Sequence, residues 1–316
     1  MSPSQDPQVL AAAVLQGDRR ALARLITHVE NHPDTAGAAL RMLFPATGSA
    51  YVAGLTGAPG AGKSTLTDQL VTATRAAGGE VAVLAVDPSS PFTGGAILGD
   101  RIRMQNHAGD PGVYVRSMAS RGALGGISAA TPRAVAVLDA AGFPTIIVET
   151  VGVGQAEVEI VGAADTTIVV VNPGWGDAIQ ASKAGLLEIG DVFVVNKADR
   201  PGAEDTVRDL RQMLELGRHL DWEPPIVSTV ATRGDGVDEL VTAIDRHQMY
   251  QQDSGTLQKR RRRRLEAELA AAVQLSLQQR FQRTIGDAWY TEAVADVIAR
   301  RIDPWSAAER LTAALG

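Results

Sequence analysis

Apolar positions follow three successive rhythms along the chain. From about residue 7 to residue 44, Val9, Leu10, Ala13 and Val14, then Leu22, Leu25, Ile26 and Val29, recur at helical spacing. Asp18 is placed to cap the second of these helices, and Pro33 interrupts the run before a third. From about residue 50 to 247, short apolar runs alternate with helical stretches. The expected strands are Tyr51–Thr56, Val81–Val86, Val113–Arg116, Thr145–Val148, Thr167–Val171, Val192–Val195 and Ile226–Thr229. Strands that are apolar throughout and separated by helices predict an α/β fold with a mostly parallel central sheet, flanked by helices on both faces. From about 248 onward helical periodicity returns, with Leu265, Leu269, Ala272, Val273, Leu277 and Phe281 on one broad stripe. The expected organisation is a helical segment over 1–45, an α/β domain over 46–248 and a helical extension over 249–316.

Composition narrows the possibilities only a little. Of 316 residues, 45% are hydrophobic and 21% charged, as in an ordinary globular protein. A formal charge of -6 gives no reason to expect binding to nucleic acid or to an anionic membrane. The absence of cysteine removes disulfides, thiolate metal sites and cysteine nucleophiles together, and fits a reducing compartment. Residues 1–18 lack the basic start and long apolar core of a signal peptide. Runs such as Ile168–Val171 are far too short to span a bilayer. The expectation is a soluble, cytoplasmic protein.

The candidate chemistry starts at Gly57-Ala58-Pro59-Gly60-Ala61-Gly62-Lys63-Ser64, which matches G-x-x-x-x-G-K-[ST] at every position. It follows an apolar strand and opens the helical run Thr65–Ala77, so 46–248 reads as a P-loop NTPase domain. The glycines let backbone N–H groups curl around a β-phosphate, and the helix N-terminus adds partial positive charge. Lys63 would reach the β- and γ-phosphates, and the Ser64 hydroxyl would coordinate Mg2+. A chance glycine-rich turn is the competing account, and the strand and helix on either side argue against it.

Asn196-Lys197-Ala198-Asp199 ends another apolar run and has the form N-K-x-D. A carboxylate at Asp199 can accept hydrogen bonds from guanine N1–H and the exocyclic amine together. Adenine would set a lone pair against it, and a polar site left unpaired in this way rejects the wrong ligand by about 10⁴-fold. Asn196 should bridge to the phosphate loop, and the Lys197 stem should cover one face of the base. A backbone amide of Thr229, Val230 or Ala231 would meet guanine O6. Alone the tetrapeptide could be a surface loop; its place downstream of the phosphate loop favours GTP and GDP as ligands.

Magnesium prefers oxygen ligands, one or two of them carboxylates, with phosphate and water. Asp87, at the carboxyl edge of a strand, and Asp100 are candidates, although Asp100 could instead cap a helix beginning at Arg101. Glu149-Thr150-Val151-Gly152 stands where many GTPases read D-x-x-G. Glu149 would then approach the metal, and Gly152 would sense the γ-phosphate. Gln155 lies three residues past that glycine, and a surface or partner-contact role competes with water activation there.

Together these strings resemble the MeaB/ArgK GTPases, chaperones of adenosylcobalamin-dependent methylmalonyl-CoA mutase in the SIMIBI class of P-loop proteins. The resemblance rests on GAPGAGKST (57–65), VDPSSPFTGGAILGDRIRM (86–104), ETVGVGQAE (149–157) and PGWGDAIQASKAGLLEIGDVFVVNKAD (173–199). It implies a slow GTPase that docks on the mutase, gates cofactor loading and protects or reactivates the enzyme. It implies a further switch loop over Gly174–Lys183, with Asp177, Gln180 and Lys183 coupling to the mutase, although these residues could simply cap and solubilise a helix. It also implies a homodimer formed through the C-terminal helices, although intramolecular packing would use the same apolar stripe.

Other functions fit less well. A metallochaperone needs thiol or clustered histidine ligands, and His28, His32, His107, His219 and His247 form no tight cluster in the sequence. A kinase or ATPase of basic amino-acid transport (arginine/ornithine, LAO/AO) needs a substrate-hydroxyl site with a base, which no motif supplies. A binding module with vestigial hydrolysis would not need the full set of elements. The basic run Lys259–Arg264 surrounds its helix on all sides, which favours a solvated helix or dimer rim over a membrane-binding face.

Overall fold

The computed structural model describes residues 6–33, 35–87, 105–107, 109–119, 130–150, 160, 162–174, 188–216, 221–284 and 288–313. It divides into two compact units, Met1–Leu257 and Gln258–Gly316.

The first unit opens with three helices: α1 (Pro7–Leu15), α2 (Arg19–Asn31) and α3 (Gly37–Leu43). Asp18 caps α2 by accepting hydrogen bonds from the Arg20 and Ala21 N–H groups, which also hold its carboxyl below the usual range. Among the described residues a sheet of seven parallel strands follows: β1 (Tyr51–Gly57), β2 (Val81–Asp87), β3 (Val113–Ala119), β4 (Thr145–Thr150), β5 (Thr166–Val171), β6 (Val192–Asn196) and β7 (Ile226–Thr229). Their order is β3-β2-β4-β1-β5-β6-β7. Helices α4 (Lys63–Ala76), α5 (Thr131–Ala140), α6 (Ala203–Leu216) and α7 (Val237–Asp253) lie between strands or follow the last one.

Both faces of the sheet are covered, which is why the strands carry no polar alternation. On one face Val52, Leu84, Ile146 and Val148 pack with Leu22, Leu25, Ile26 and Val29 of α2 and with Leu138 of α5. On the other, Leu55, Val83, Ile168 and Val194 meet Leu66 and Leu70 of α4 and Leu240 of α7. The N-terminal helices therefore share one core with the sheet. The first unit runs on past residue 248, which falls within α7, and ends at Leu257.

Buried carboxylates secure the lower ends of the strands. Asp165 accepts from Val52 N at 3.0 Å, Asp191 accepts from Thr167 N at 2.7 Å, and Asp139 accepts from Ala50 N at 2.9 Å. Nearby, the end of α7 is locked in place as His247 bonds Thr166 and Gln251 bonds both Tyr51 and the Asp165 carbonyl. With their lower ends fixed, the upper ends of β1, β2, β4 and β6 can hold chemistry in register.

In the second unit, α8 (Thr256–Thr284) begins just before the division and continues into it, followed by α9 (Ala288–Ile298) and α10 (Pro304–Ala313). Phe281 packs edge-on against Tyr290 of α9, with ring centroids 5.8 Å apart. Leu265, Leu269, Val273 and Leu277 lie exposed along α8 at four-residue spacing. No helix among the described residues is long and apolar enough to cross a membrane.

Candidate functional site

The upper end of β1 turns into α4 through the loop Gly57–Gly62. Two of its glycines are required by close contacts. A Cβ on Gly57 would sit 1.9 Å from the Val170 carbonyl oxygen, and one on Gly62 would sit 2.3 Å from Asn196 Nδ2. Both have positive φ, so the loop wraps inward in a way that L side chains resist. Lys63 opens α4 and is buried, its ammonium donating to the Gly57 carbonyl at 2.7 Å and the Ala58 carbonyl at 2.9 Å. The lysine thus spans the mouth of its own loop. Phosphate oxygens arriving there would replace two neutral acceptors with charged ones. Ser64 and Thr65 follow on the exposed first turn.

Glu149 of β4 lies beside this turn, only 3% exposed, and accepts a hydrogen bond from the Ser64 hydroxyl. Register explains the meeting, since Glu149 is aligned with Leu55 on one neighbouring strand and Ala85 on the other. Asp87 ends β2 two positions beyond Ala85 and is fully buried. These are hard oxygen donors, and the described residues include no group of three acidic or histidine side chains able to hold an ion unaided. That donor set suits a cation such as magnesium, which takes most of its ligands from phosphates and water. Asp100, Gly152, Gln155, Asp177, Gln180 and Lys183 lie outside the described residues.

Asn196 ends β6 and ties three segments together. Its Nδ2 donates to the Ala61 carbonyl at 2.8 Å, while its Oδ1 accepts from Thr229 Oγ1 and from Ala231 N, both at 3.1 Å. The side chain therefore spans the phosphate loop and the end of β7. Lys197 takes a left-handed conformation, φ 59°, and donates its ammonium to the Gly60 carbonyl at 2.7 Å. That conformation is costly for a lysine, and the anchored neighbours on either side hold it. Asp199 faces outward with an exposed carboxylate.

The Thr229-Val230-Ala231 segment is more fully engaged than the sequence implies. Val230 N donates to the Asp235 carbonyl at 3.0 Å, and Ala231 N already serves Asn196. A guanine O6 at this position would share the Ala231 N–H with Asn196. Sequence reasoning also missed Arg233. It hydrogen-bonds Asp235 and stands 3.8 Å from the Asp199 carboxylate. The Asp235 hydrogen bond is the main cause that raises the Arg233 pKa above an ordinary arginine, and Asp199 adds to it. The two residues lie on different loops, so no motif spacing could have paired them.

Known proteins resemble this chain along most of its length. The family model described as "Methylmalonyl Co-A mutase-associated GTPase MeaB" matches residues 22–285. A protein of Pyrococcus abyssi carrying a GTPase name is 50% identical over 300 residues, covering 94% of this chain and 93% of that one. The GTPase ArgK of Escherichia coli is 38% identical over 253 residues, 77% of this chain and 76% of its own. A fused isobutyryl-CoA mutase of Cupriavidus metallidurans is 40% identical over 242 residues, covering 73% of this chain but 22% of that longer protein. Among solved structures, one named as an LAO/AO transport system kinase has a TM-score of 0.68 and 26% identity, covering 99% of this chain and 98% of that one.

Proposed function

Since the chain belongs to the MeaB family of methylmalonyl-CoA mutase-associated GTPases, and is thereby a guanine-nucleotide-binding GTPase, we propose that it is a cytoplasmic chaperone of adenosylcobalamin-dependent methylmalonyl-CoA mutase. In this reading it gates loading of the mutase's cofactor and protects or reactivates the enzyme, acting as a homodimer. The carrying observation is that a segment 40% identical over 242 residues lies within a single polypeptide named a fused isobutyryl-CoA mutase. Fusion keeps two partners at high effective concentration, and such an arrangement favours proteins that act on one another.

The site residues divide the work as follows. The loop from Gly57 through Gly62, with Ala58, Pro59, Gly60 and Ala61, wraps the phosphates with backbone N–H groups, and Thr65 continues the first turn of α4. The Lys63 ammonium leaves the Gly57 and Ala58 carbonyls for phosphate oxygens and neutralises charge developing on the β–γ bridge. Magnesium, when bound, would supply further charge neutralisation on the phosphate oxygens. Ser64, Asp87 and Glu149 would hold it, with Asp100 as a fourth candidate. Gly152 would respond to the γ-phosphate. Asp199 reads the guanine edge, Asn196 keeps base and phosphate loops at fixed separation, and Lys197 covers the base. Isolated turnover is slow in this reading and rises when a partner completes the site.

The test is hydrolysis of GTP and of ATP by the purified protein, each with and without the mutase of its host. Slow hydrolysis confined to GTP and accelerated by the mutase is the expected result. GTP hydrolysis indifferent to the mutase would refute the chaperone reading while leaving the nucleotide chemistry intact. A second reading, kinase action in basic amino-acid transport, draws on the name of the structural relative. It requires ATP turnover and a phosphorylated acceptor, and a preference for GTP over ATP counts against it.

A further inference from the structure

The turn that follows β7 is closed on itself. Arg233 N and Gly234 N donate to the Val230 carbonyl at 2.9 and 3.1 Å, and Val230 N donates to the Asp235 carbonyl at 3.0 Å. Asn196 holds the same turn through Ala231 N and stands three residues before Asp199. Asp199 and Arg233 thus rise from two loops fixed by one buried side chain.

Within that frame the Arg233 guanidinium is tethered on one side. Asp235 Oδ2 accepts from Nε at 2.8 Å and lies 2.7 Å from Nη2. The remaining nitrogen, Nη1, faces Asp199 Oδ2 at 3.8 Å. That distance is too long for a hydrogen bond and short enough for attraction between opposite charges. The arginine can therefore orient the carboxylate without consuming the lone pairs that a base would use.

We propose that Arg233 is a specificity-determining residue for guanine, a positioning residue that acts through Asp199 and is itself aimed by Asp235. This rests on the reading of Asp199 as the carboxylate that accepts guanine N1–H and its exocyclic amine. Guanine offers two donors to a correctly set carboxylate, whereas hypoxanthine has the same N1–H and no amine. Setting the carboxylate therefore helps guanine more than hypoxanthine, and discrimination between the two reports on Arg233. Both side chains are about half exposed, at 57% and 44%. The effect is accordingly modest, about three- to fivefold in affinity.

The experiment measures dissociation constants for GDP, IDP and ADP, with kcat for GTP, in the wild type and in R233A, R233K, D199A and the R233A/D199A double variant. Added salt supplies a further axis, because exposed charges are screened. R233A is expected to weaken GDP about three- to fivefold, to weaken IDP less, and to act on binding in place of kcat. R233K should recover part of the loss, and R233A should have no further effect once Asp199 is gone. Equal weakening of GDP and IDP, an effect on kcat, or an effect that persists in D199A would overturn the proposal. If D199A itself leaves the preference for GDP over IDP and ADP unchanged, the underlying reading of Asp199 fails instead. Loss of preference in D199A with none in R233A refutes Arg233 alone.

Discussion

At the scale of single residues, Asn196 joins more of the site than any other side chain described. It is 2% exposed and serves the Ala61 carbonyl, the Thr229 hydroxyl and the Ala231 N–H at once. Asn196→Ala leaves buried polar groups without these partners, and each such group costs about 1–3 kcal/mol. A loss of at least about 3 kcal/mol in urea unfolding is expected, with weakened GDP binding as the two loops lose their link. Lys63 behaves differently. Its partners are carbonyls that phosphate would displace, so Lys63→Met should abolish GTP hydrolysis with little change in the melting temperature. The phosphate loop and the N-K-x-D segment were legible in the sequence because each is contiguous and sits on a recognisable strand end. The Arg233–Asp199 approach was not legible, because it depends on how two loops close in space.

At the scale of elements, all seven strands could be read from their apolar runs, since burial on both faces leaves little room for polar residues. The end of β3 was cut short, at Arg116 instead of Ala119, because Arg116 and Ser117 interrupt the pattern. The structure supplies the reason. The Arg116 guanidinium donates to Thr27 Oγ1 and approaches Glu30, both on α2, and Glu30 accepts from Ala119 N at 3.0 Å. A polar residue in the strand is tolerated where a helix brings matching groups. Strand order could not be read at all, because nothing local tells β1 that its neighbours are β4 and β5. A second ionic contact joins α4 to the turn before β3, where Arg75 bonds both oxygens of Asp110. This hydrogen bond, and then the one from Gly112 N, holds the Asp110 carboxyl below its usual range. A group lowered on folding stabilises above its unfolded pKa, about 3.9, and that contribution disappears as pH falls through the folded value. Asp110→Asn should therefore be less stable than wild type near neutrality, with the gap closing below about pH 4 in thermal melts.

At the scale of the whole molecule, α8 has 29 residues, a rod of about 43 Å. Leu265, Leu269, Val273 and Leu277 lie along it at 49–66% exposure. These four side chains form a row of about 18 Å, and such a row left to water favours self-association, as in the proposed homodimer. Leu269→Glu combined with Val273→Glu should shift sedimentation from dimer to monomer and leave GDP affinity unchanged. The core unit carries another consequence, which concerns how the chain is made. β1 holds the phosphate loop at the middle of the sheet, yet Val52 N is tied to the Asp165 carboxylate, 113 residues later. A ribosome adding roughly 5–20 residues per second leaves that strand without its second neighbour for about 6–23 s. During synthesis a strand buried along its whole length must wait in the open for its cover, so a protein proposed as a chaperone would itself need shelter while it is being born.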